Sequence, residues 1–488
     1  MPSDKTISVP AGQSAPAKVG FVSLGCPKNL VDSEVMMGML AQAGAHLTPD
    51  AEDADVIVVN TCSFIGSAQQ ESVDTILEMA RHKAGGKAKK LVVAGCLVER
   101  FRDEIRKNIP EVDAVVGTGE LDKILAATGV ADAPRTSGPF HILTSRPEGD
   151  HRRAHGRFTR DSWDGAVADL PNYLYDEATP RVLATPEYTA YIKIAEGCDH
   201  PCTFCIIPQL RGQFRSRHFE SVIAEAEGLA QSGVREITLI GQDTTCYGED
   251  LGLKDGLPLL LEKLAGIEEL RWIRFLYAYP NKITGRLLET IAAHENICSY
   301  IDVPLQHASA SVLKRMKRGG GTDVFLRSIE KMRRAIPNVT LRTSFIVGFP
   351  GETAREFEEL CEFVREAQFD WMGTFAYSDQ EGATAFGLEK KLSTREIESR
   401  RKSLMSIQKK ISRAKKKSLV GREFDLLLMG ASEETDLLLE GRTAMHAPEI
   451  DGKVFVNDYP EGHEPKEGEF YRCRITAAHD YDLVAEIV

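Results

Sequence analysis

Six short apolar runs between residues 190 and 377, each followed by a stretch of helical periodicity, leave this chain few folds to choose from. The runs near 190–195, 236–241, 272–278, 300–304, 340–347 and 371–377 read as strands. Helical patterns near 219–232, 256–266, 283–295, 309–317, 323–335 and 353–367 fill the gaps. Strands that read as continuous apolar runs are buried on both faces, and alternation with helices makes them parallel. Six such units predict a partial (β/α)6 barrel, with its chemistry at the carboxyl ends of the strands.

The first of those ends carries Glu196-Gly197-Cys198-Asp199-His200-Pro201-Cys202-Thr203-Phe204-Cys205. Three thiols within eight residues can converge on one centre, because the loop between them is too short to hold them apart. A structural zinc ion or a closed iron–sulfur cluster normally takes four protein ligands. Here no fourth cysteine follows until Cys246. Three thiolates on a four-iron cube leave one iron open to another ligand. The alternative is a zinc knuckle completed by His200 or His218, but this array ends a strand instead of closing a small finger.

A second α/β pattern precedes the first. Apolar runs at 19–24, 56–60, 91–94 and 112–116 alternate with helical stretches near 30–43, 66–83, 98–107 and 119–127, so a parallel sheet is expected. Cys26, Cys62 and Cys96 each follow one of the first three runs, 36 and 34 positions apart. One such cysteine would be a small buried hydrophobe by default. Three at the edge where open sheets bind ligands predict a second cluster site. Cys246, Cys298, Cys361 and Cys473 have no partners at ligand spacing and read as packing residues.

The remaining segments set the domain plan. Residues 1–17 read as a polar tail, and 131–183 lose the strand–helix pattern, as a linker or surface extension would. Residues 393–417 form a charged helix ending in a cationic run, for which a solvated face is the default. Beyond Gly421 the period switches to two, and short runs at 424–428, 435–439, 454–456, 470–475 and 483–488 predict a small antiparallel β-barrel. The expected domains are therefore 18–130, 131–183 as an extension, 184–417 and 418–488. No apolar run approaches the roughly 20 residues that cross a bilayer, and the start lacks a signal-peptide core. A cytoplasmic protein with no membrane partner is expected, in which ten cysteines signify metal or redox chemistry.

The C-x3-C-x2-C array resembles the signature of the radical S-adenosylmethionine (SAM) enzymes. That resemblance implies that the open iron chelates the amino and carboxylate groups of SAM, which is then cleaved to a 5′-deoxyadenosyl radical. With a three-cysteine α/β domain before it and a TRAM-like barrel after it, the chain from residue 19 to 488 is similar to the methylthiotransferase family. Leu24-Gly25-Cys26-Pro27-Lys28-Asn29, Cys205-Ile206-Ile207-Pro208, Gly241-Gln242-Asp243-Thr244-Thr245 and Pro304-Leu305-Gln306-His307 look like the branch that modifies an aspartate of small-subunit ribosomal protein twelve. The branch that modifies an adenosine in tRNA typically has Gln-Met-Asn after its first cysteine, and this chain does not. The resemblance implies two 4Fe–4S clusters, on Cys198, Cys202 and Cys205 and on Cys26, Cys62 and Cys96. It also implies that SAM serves as both methyl donor and radical source, and that an external electron donor is needed. Gln242, Asp243, Gln306 and Arg342 suit the ribose hydroxyls and carboxylate of SAM, and Phe204 its adenine. Each of these groups suits loop closure or capping equally well.

Charge supplies an independent check. The whole chain carries a net charge of −12. In residues 421–488, 16 acidic residues face 6 basic ones, a net of −10. Binding to a phosphate backbone gains affinity by neutralising phosphates with cations, so this barrel is unsuited to tRNA. It suits a basic ribosomal protein, free or within the ribosome, whose approach it would steer. An iron–sulfur electron carrier is the alternative from another class; it would leave the polar strand ends without a use.

Overall fold

The computed structural model describes residues 16–130, 170–432, 435, 438–462 and 464–488. Most of the expected tail and most of the expected extension at 131–183 lie outside the described residues. Among those described, no helix is long and apolar enough to cross a membrane. The chain divides into two compact units.

The first unit runs β1 (Lys18–Ser23), α1 (Pro27–Gln42), β2 (His46–Thr48), β3 (Val56–Thr61), α2 (Gly66–Gly85), β4 (Lys90–Gly95), α3 (Cys96–Asn108), β5 (Ala114–Val116) and α4 (Ile124–Thr128). Its strands form one sheet in the order β2-β1-β3-β4-β5, parallel throughout. The whole of β3 is buried, which explains its continuous apolar run. The exceptions are Thr61, which donates to Ala94 O at 2.6 Å, and Asn60, whose amide donates to Asn29 O at 2.8 Å and Ser33 Oγ at 2.9 Å, tying α1 to the strand end. Strand β2 went unread in the sequence, since three half-exposed residues carry no periodicity. Residues 179–182 belong to this unit: Arg181 pairs with buried Glu34 at 2.6 Å, and Pro180 lies where any side chain at Gly38 would stand.

The second unit begins with β6 (Thr189–Lys193), a short hairpin of β7 (Ala195–Glu196) and β8 (Arg215–Ser216), and the intervening α5 (Ile207–Arg211). It continues with α6 (Phe219–Gln231), β9 (Glu236–Ile240), α7 (Gly256–Ala265), β10 (Trp272–Phe275), α8 (Gly285–Ala293), β11 (Tyr300–Asp302), α9 (Ala310–Arg315), α10 (Thr322–Ala335), β12 (Thr340–Val347), α11 (Ala354–Ala367), β13 (Trp371–Ala376) and α12 (Thr394–Lys417). The six long-connection strands form two parallel sheets, β10-β9-β6 and β11-β12-β13. An isolated bridge between Ile273 and Ile297 joins them, giving the expected six-stranded partial barrel. Along β12 the residues Leu341, Thr343, Phe345 and Val347 are buried against the helices, while Arg342, Ser344 and Ile346 take the alternate face.

Five strands, β14 (Glu423–Ala431), β15 (Leu439–Thr443), β16 (Val454–Asp458), β17 (Phe470–Ala478) and β18 (Leu483–Ile487), close a small barrel in the order β14-β15-β16-β18-β17. One pair, β16 with β18, is parallel and the others antiparallel. The strand expected at 435–439 sits later, because its actual residues include buried Glu440 and Arg442. Their burial is made tolerable by partners no hydropathy pattern reveals: Lys453 for Glu440 at 2.9 Å, and Glu236 for Arg442 at 3.0 Å.

That second pair fastens the small barrel to the amino end of the large one. Glu236 opens β9 and also meets Arg274 at 3.5 Å. Arg274 donates to Ala444 O at 2.9 Å, Trp371 Nε1 to Met445 O at 2.7 Å, and Tyr300 OH to Asp451 at 2.7 Å. Glu236, Tyr300 and Trp371 each open their strands, so the small barrel is docked opposite the end that carries the cysteine array. Burial works against an ionised Glu236, yet Arg442 and Arg274 hold it below the ordinary carboxylate range. Arg442→Met should strand that charge and lower the stability of the unit by about 3 kcal/mol. Glu236→Gln added to it should restore much of the loss, as read by the urea dependence of unfolding.

Candidate active site

The cysteine loop leaves the barrel at the end of β6 and returns through β8, so the β7–β8 ladder pins its base. Gly197 sits at φ +80°, and a Cβ there would stand 2.0 Å from Gln213 O, so only glycine fits. From that base, Cys198 N donates to Gly212 O at 3.1 Å. Further along, Thr203 N donates to Met316 O at 3.1 Å and Thr203 Oγ1 to Arg315 O at 3.0 Å, while Ala385 N reaches Thr203 O at 2.7 Å. The backbone N–H of Ile207 points at Cys205 Sγ, 3.5 Å away. Phe204 is half-buried and packs on the barrel core, which closes the loop.

Burial pushes the Cys205 thiol up to about 12, with the neighbouring Cys202 adding to the rise. Cys198 is raised as well, by burial first. Such thiols keep their protons unless a metal replaces them. All three are free and half-buried. Three soft donors on one short loop, with no fourth cysteine, fit a cube with an open iron.

Below the loop lies a network that the sequence did not single out. Fully buried Glu196 accepts from Lys193 Nζ at 2.6 Å and Arg211 Nη1 at 3.3 Å, and its other oxygen from Gln242 Nε2. Burial opposes its charge, but Lys193 and then Arg211 hold its carboxyl far below the ordinary range. The only sequence signal was two charged residues, Lys193 and Glu196, in an otherwise apolar run. Gln242 Oε1 is buried with no hydrogen-bond partner among the described residues, an acceptor available to a ligand hydroxyl or ammonium. Gln306, four residues beyond β11, holds φ +71°, a conformation an L-residue adopts at a cost. Two backbone bonds, Gln306 N to Ser344 O and Ile346 N to Gln306 O, both 2.8 Å, keep it there.

Other expected site residues are engaged elsewhere. Asp243 is buried and saturated: it accepts from Thr245 N at 2.9 Å and Thr245 Oγ1 at 2.6 Å, faces His200 Nε2 at 2.6 Å, and takes the Cys246 thiol at 3.1 Å. It anchors the cysteine loop through His200, and Cys246 supports it instead of merely packing. Arg342 stands apart from the strand ends: Asp302 at 2.9 Å and Asp451 at 3.5 Å hold it on the side of the small barrel. Its place early in β12 is the reason. The Gly348-Phe349 backbone also serves the fold, because Glu352 accepts both N–H groups, at 2.6 and 3.1 Å.

In the first unit, parallel register aligns Ser23 with Asn60 and Asn60 with Ala94. Cys26, Cys62 and Cys96 therefore emerge at one sheet edge from three adjacent strands. Strands about 4.8 Å apart put this row within the span of one cluster. Gly25, at φ +91°, would drive a Cβ to 3.0 Å from Cys62 Sγ, which shows how closely the loops after β1 and β3 approach. Ser72 Oγ fixes Cys62 by accepting from its N–H at 3.0 Å and donating to its carbonyl at 2.9 Å.

Comparison with known proteins agrees with this layout. Residues 18–117 match the model of uncharacterized protein family UPF0004, 192–364 the radical SAM superfamily, and 420–488 the TRAM domain. The ribosomal protein uS12 methylthiotransferase RimO of Koribacter versatilis is 70% identical over 98% of this chain and 97% of its own. Its namesake in Solibacter usitatus is 58% identical over 96% of this chain and 95% of its own. Among solved structures, the radical S-adenosylmethionine methyltransferase TsrM from Kitasatospora setae aligns with a TM-score of 0.51 at 15% identity, covering 77% of each chain. That likeness concerns the fold alone.

Glu196→Gln should leave Lys193 and Arg211 buried without a counter-charge, at a cost of about 3–5 kcal/mol. The variant should unfold at lower temperature and retain less iron after anaerobic reconstitution. Because folding lowers the pKa of Glu196, its contribution is complete at neutral pH. It is lost only as pH falls below the ordinary carboxylate range, so the difference between variant and wild type should shrink there.

Proposed function

Because the chain belongs to the RimO family of ribosomal protein uS12 methylthiotransferases, we propose that it places a methylthio group on the β-carbon of one aspartate of uS12. It is a transferase, and members of its family use SAM and 4Fe–4S clusters. In this chain Cys198, Cys202 and Cys205 hold the cluster that cleaves SAM, and Cys26, Cys62 and Cys96 hold the second. When bound, these groups supply radical and sulfur chemistry for which no side chain has an equivalent. Three half-buried thiols on one short loop at a barrel strand end, with no fourth cysteine in that loop, are the observation that carries this assignment.

The chain's own residues bind and orient. Gln242 and Gln306 offer polar contacts to SAM, with Gln242 already aligned by Glu196. His200 and Asp243 keep the cysteine loop in place. Bond scission at an unactivated carbon has no acid–base route, so excluding water matters more here than moving protons. An external one-electron donor completes the reaction.

Substrate choice rests on charge. The exposed carboxylates Asp458, Glu461, Glu464 and Glu469 have no ion-pair partner among the described residues and give the small barrel an acidic face suited to a basic protein. Other acidic residues of that barrel, Glu433, Glu434 and Asp436, lie outside the described residues. Since the small barrel is docked at the amino end of the strands, a protein held there must also reach the carboxyl ends. Strand β12, eight residues long, makes that about 26 Å. A ribosomal protein spans such a distance.

Two experiments test this function. Substituting either cysteine triad with alanine should remove half of the iron and sulfide found in anaerobically reconstituted enzyme. Zinc in place of iron, or unchanged iron after the first-unit triple substitution, would contradict the cluster assignment. Reversing Asp458, Glu461, Glu464 and Glu469 to lysine should lower the yield of methylthio-aspartate severalfold at low salt and less at high salt. Reductant-dependent release of 5′-deoxyadenosine should persist. A methylthio group appearing on tRNA instead of uS12 would favour the other branch.

A further inference from the structure

The turn that ends α9 does two things at once. Its carbonyls at Arg315 and Met316 accept from Thr203 and so hold the cysteine loop. It then reverses at Lys317, whose φ is +52°, and closes with Lys317 N to Lys314 O at 3.1 Å and Arg318 N to Leu313 O at 2.8 Å. This reversal delivers the Arg318 guanidinium to the same loop. One of its nitrogens, Nη1, lies 3.5 Å from Cys202 Sγ, and Nη2 donates to Pro304 O at 2.9 Å.

The guanidinium is held by a ring rather than by a carboxylate. Its central carbon lies 4.5 Å from the centre of Tyr279, and that ring stacks on His200 at 3.9 Å with 9° between the planes. His200 in turn is fixed by Asp243 at 2.6 Å. No carboxylate pairs with Arg318 among the described residues. Its charge is therefore not cancelled where it meets the thiol. Hydrogen bonds to ligand sulfurs and local charge are among the factors that set the potential of an iron–sulfur cluster.

We propose that Arg318 is a positioning residue that raises the reduction potential of the cluster on Cys198, Cys202 and Cys205, its cation held against Cys202 by the Tyr279–His200–Asp243 column. This rests on the cysteine assignment above. Reduction adds one electron from an external donor and breaks no bond. The cluster becomes more negative by one charge, and a fixed cation beside a ligand sulfur favours that state. The same column explains why Asp243 is spent on His200 instead of on a ligand.

The test is a dithionite titration of anaerobic holoenzyme with redox mediators, reading the reduced cluster by electron paramagnetic resonance. The relevant signal is the one that changes when SAM is added. Arg318→Met should shift the reduction equilibrium about tenfold toward the oxidised cluster, or about 59 mV for one electron, with iron per chain unchanged. Arg318→Lys, which keeps the charge, should shift it less than threefold, and Tyr279→Leu should fall between them. If Arg318→Met fails to hold iron, Arg318→Gln serves, since it keeps a donor and loses the charge; the same tenfold shift is expected. Equal potentials in wild type and in the charge-removing variant that retains iron overturn the proposal. A wild-type enzyme with no SAM-responsive signal would overturn the cysteine assignment itself and the proposal with it.

Discussion

The carboxylate of Glu196 is the constraint on which the active end of the barrel depends. It sits where β6 gives way to the cysteine loop and gathers Lys193 from the strand, Arg211 from α5 and Gln242 from the end of β9. Four chain segments are thereby tied at one buried point. A buried carboxylate is costly alone, but with two cations and an amide it becomes a junction that tolerates little displacement. The cysteine loop packs Phe204 on the barrel core and takes the rest of its shape from this base and from backbone bonds to neighbouring turns.

The opposite end of the barrel solves another problem with the same means. Open strand ends there would leave Glu236 and Arg274 with only each other as ion-pair partners and Arg342 with only Asp302, and the small barrel adds Arg442, Ala444 O and Asp451. Lys416 of α12 is drawn into this junction, its ammonium 3.5 Å from the centre of the Trp371 ring, and burial lowers it to about 8. The late cations of that helix thus serve different ends: Lys415 pairs with Asp370 at 2.6 Å and Lys409 with Asp480 at 2.8 Å, while Lys410 and Lys417 remain exposed. Charge is spent at both ends of the barrel on junctions, and catalysis is left to cofactors.

Strand positions were legible because strands buried on both faces must be apolar. The strands expected at 340–347 and 371–377 appear as Thr340–Val347 and Trp371–Ala376. The two cysteine triads were legible because ligand spacing within a loop, or repetition at successive strand ends, is a property of the chain itself. Where a strand owes its burial to ion pairs the pattern failed, as at Leu439–Thr443. Where a strand is three residues long there was no pattern to find.

The sequence by itself determined the order of strands and helices, the cysteines that share an end of each sheet, and the acidity of the last domain. All of these are local or additive properties. Only the tertiary structure decided which charged residues serve the site. Arg342 looked like a ligand for SAM and is held by Asp302 and Asp451, whereas Arg318, in a turn with no motif, meets Cys202. A charged side chain's role depends on which partner lies within a few ångströms, and those partners come from segments 40 to more than 100 residues away along the chain.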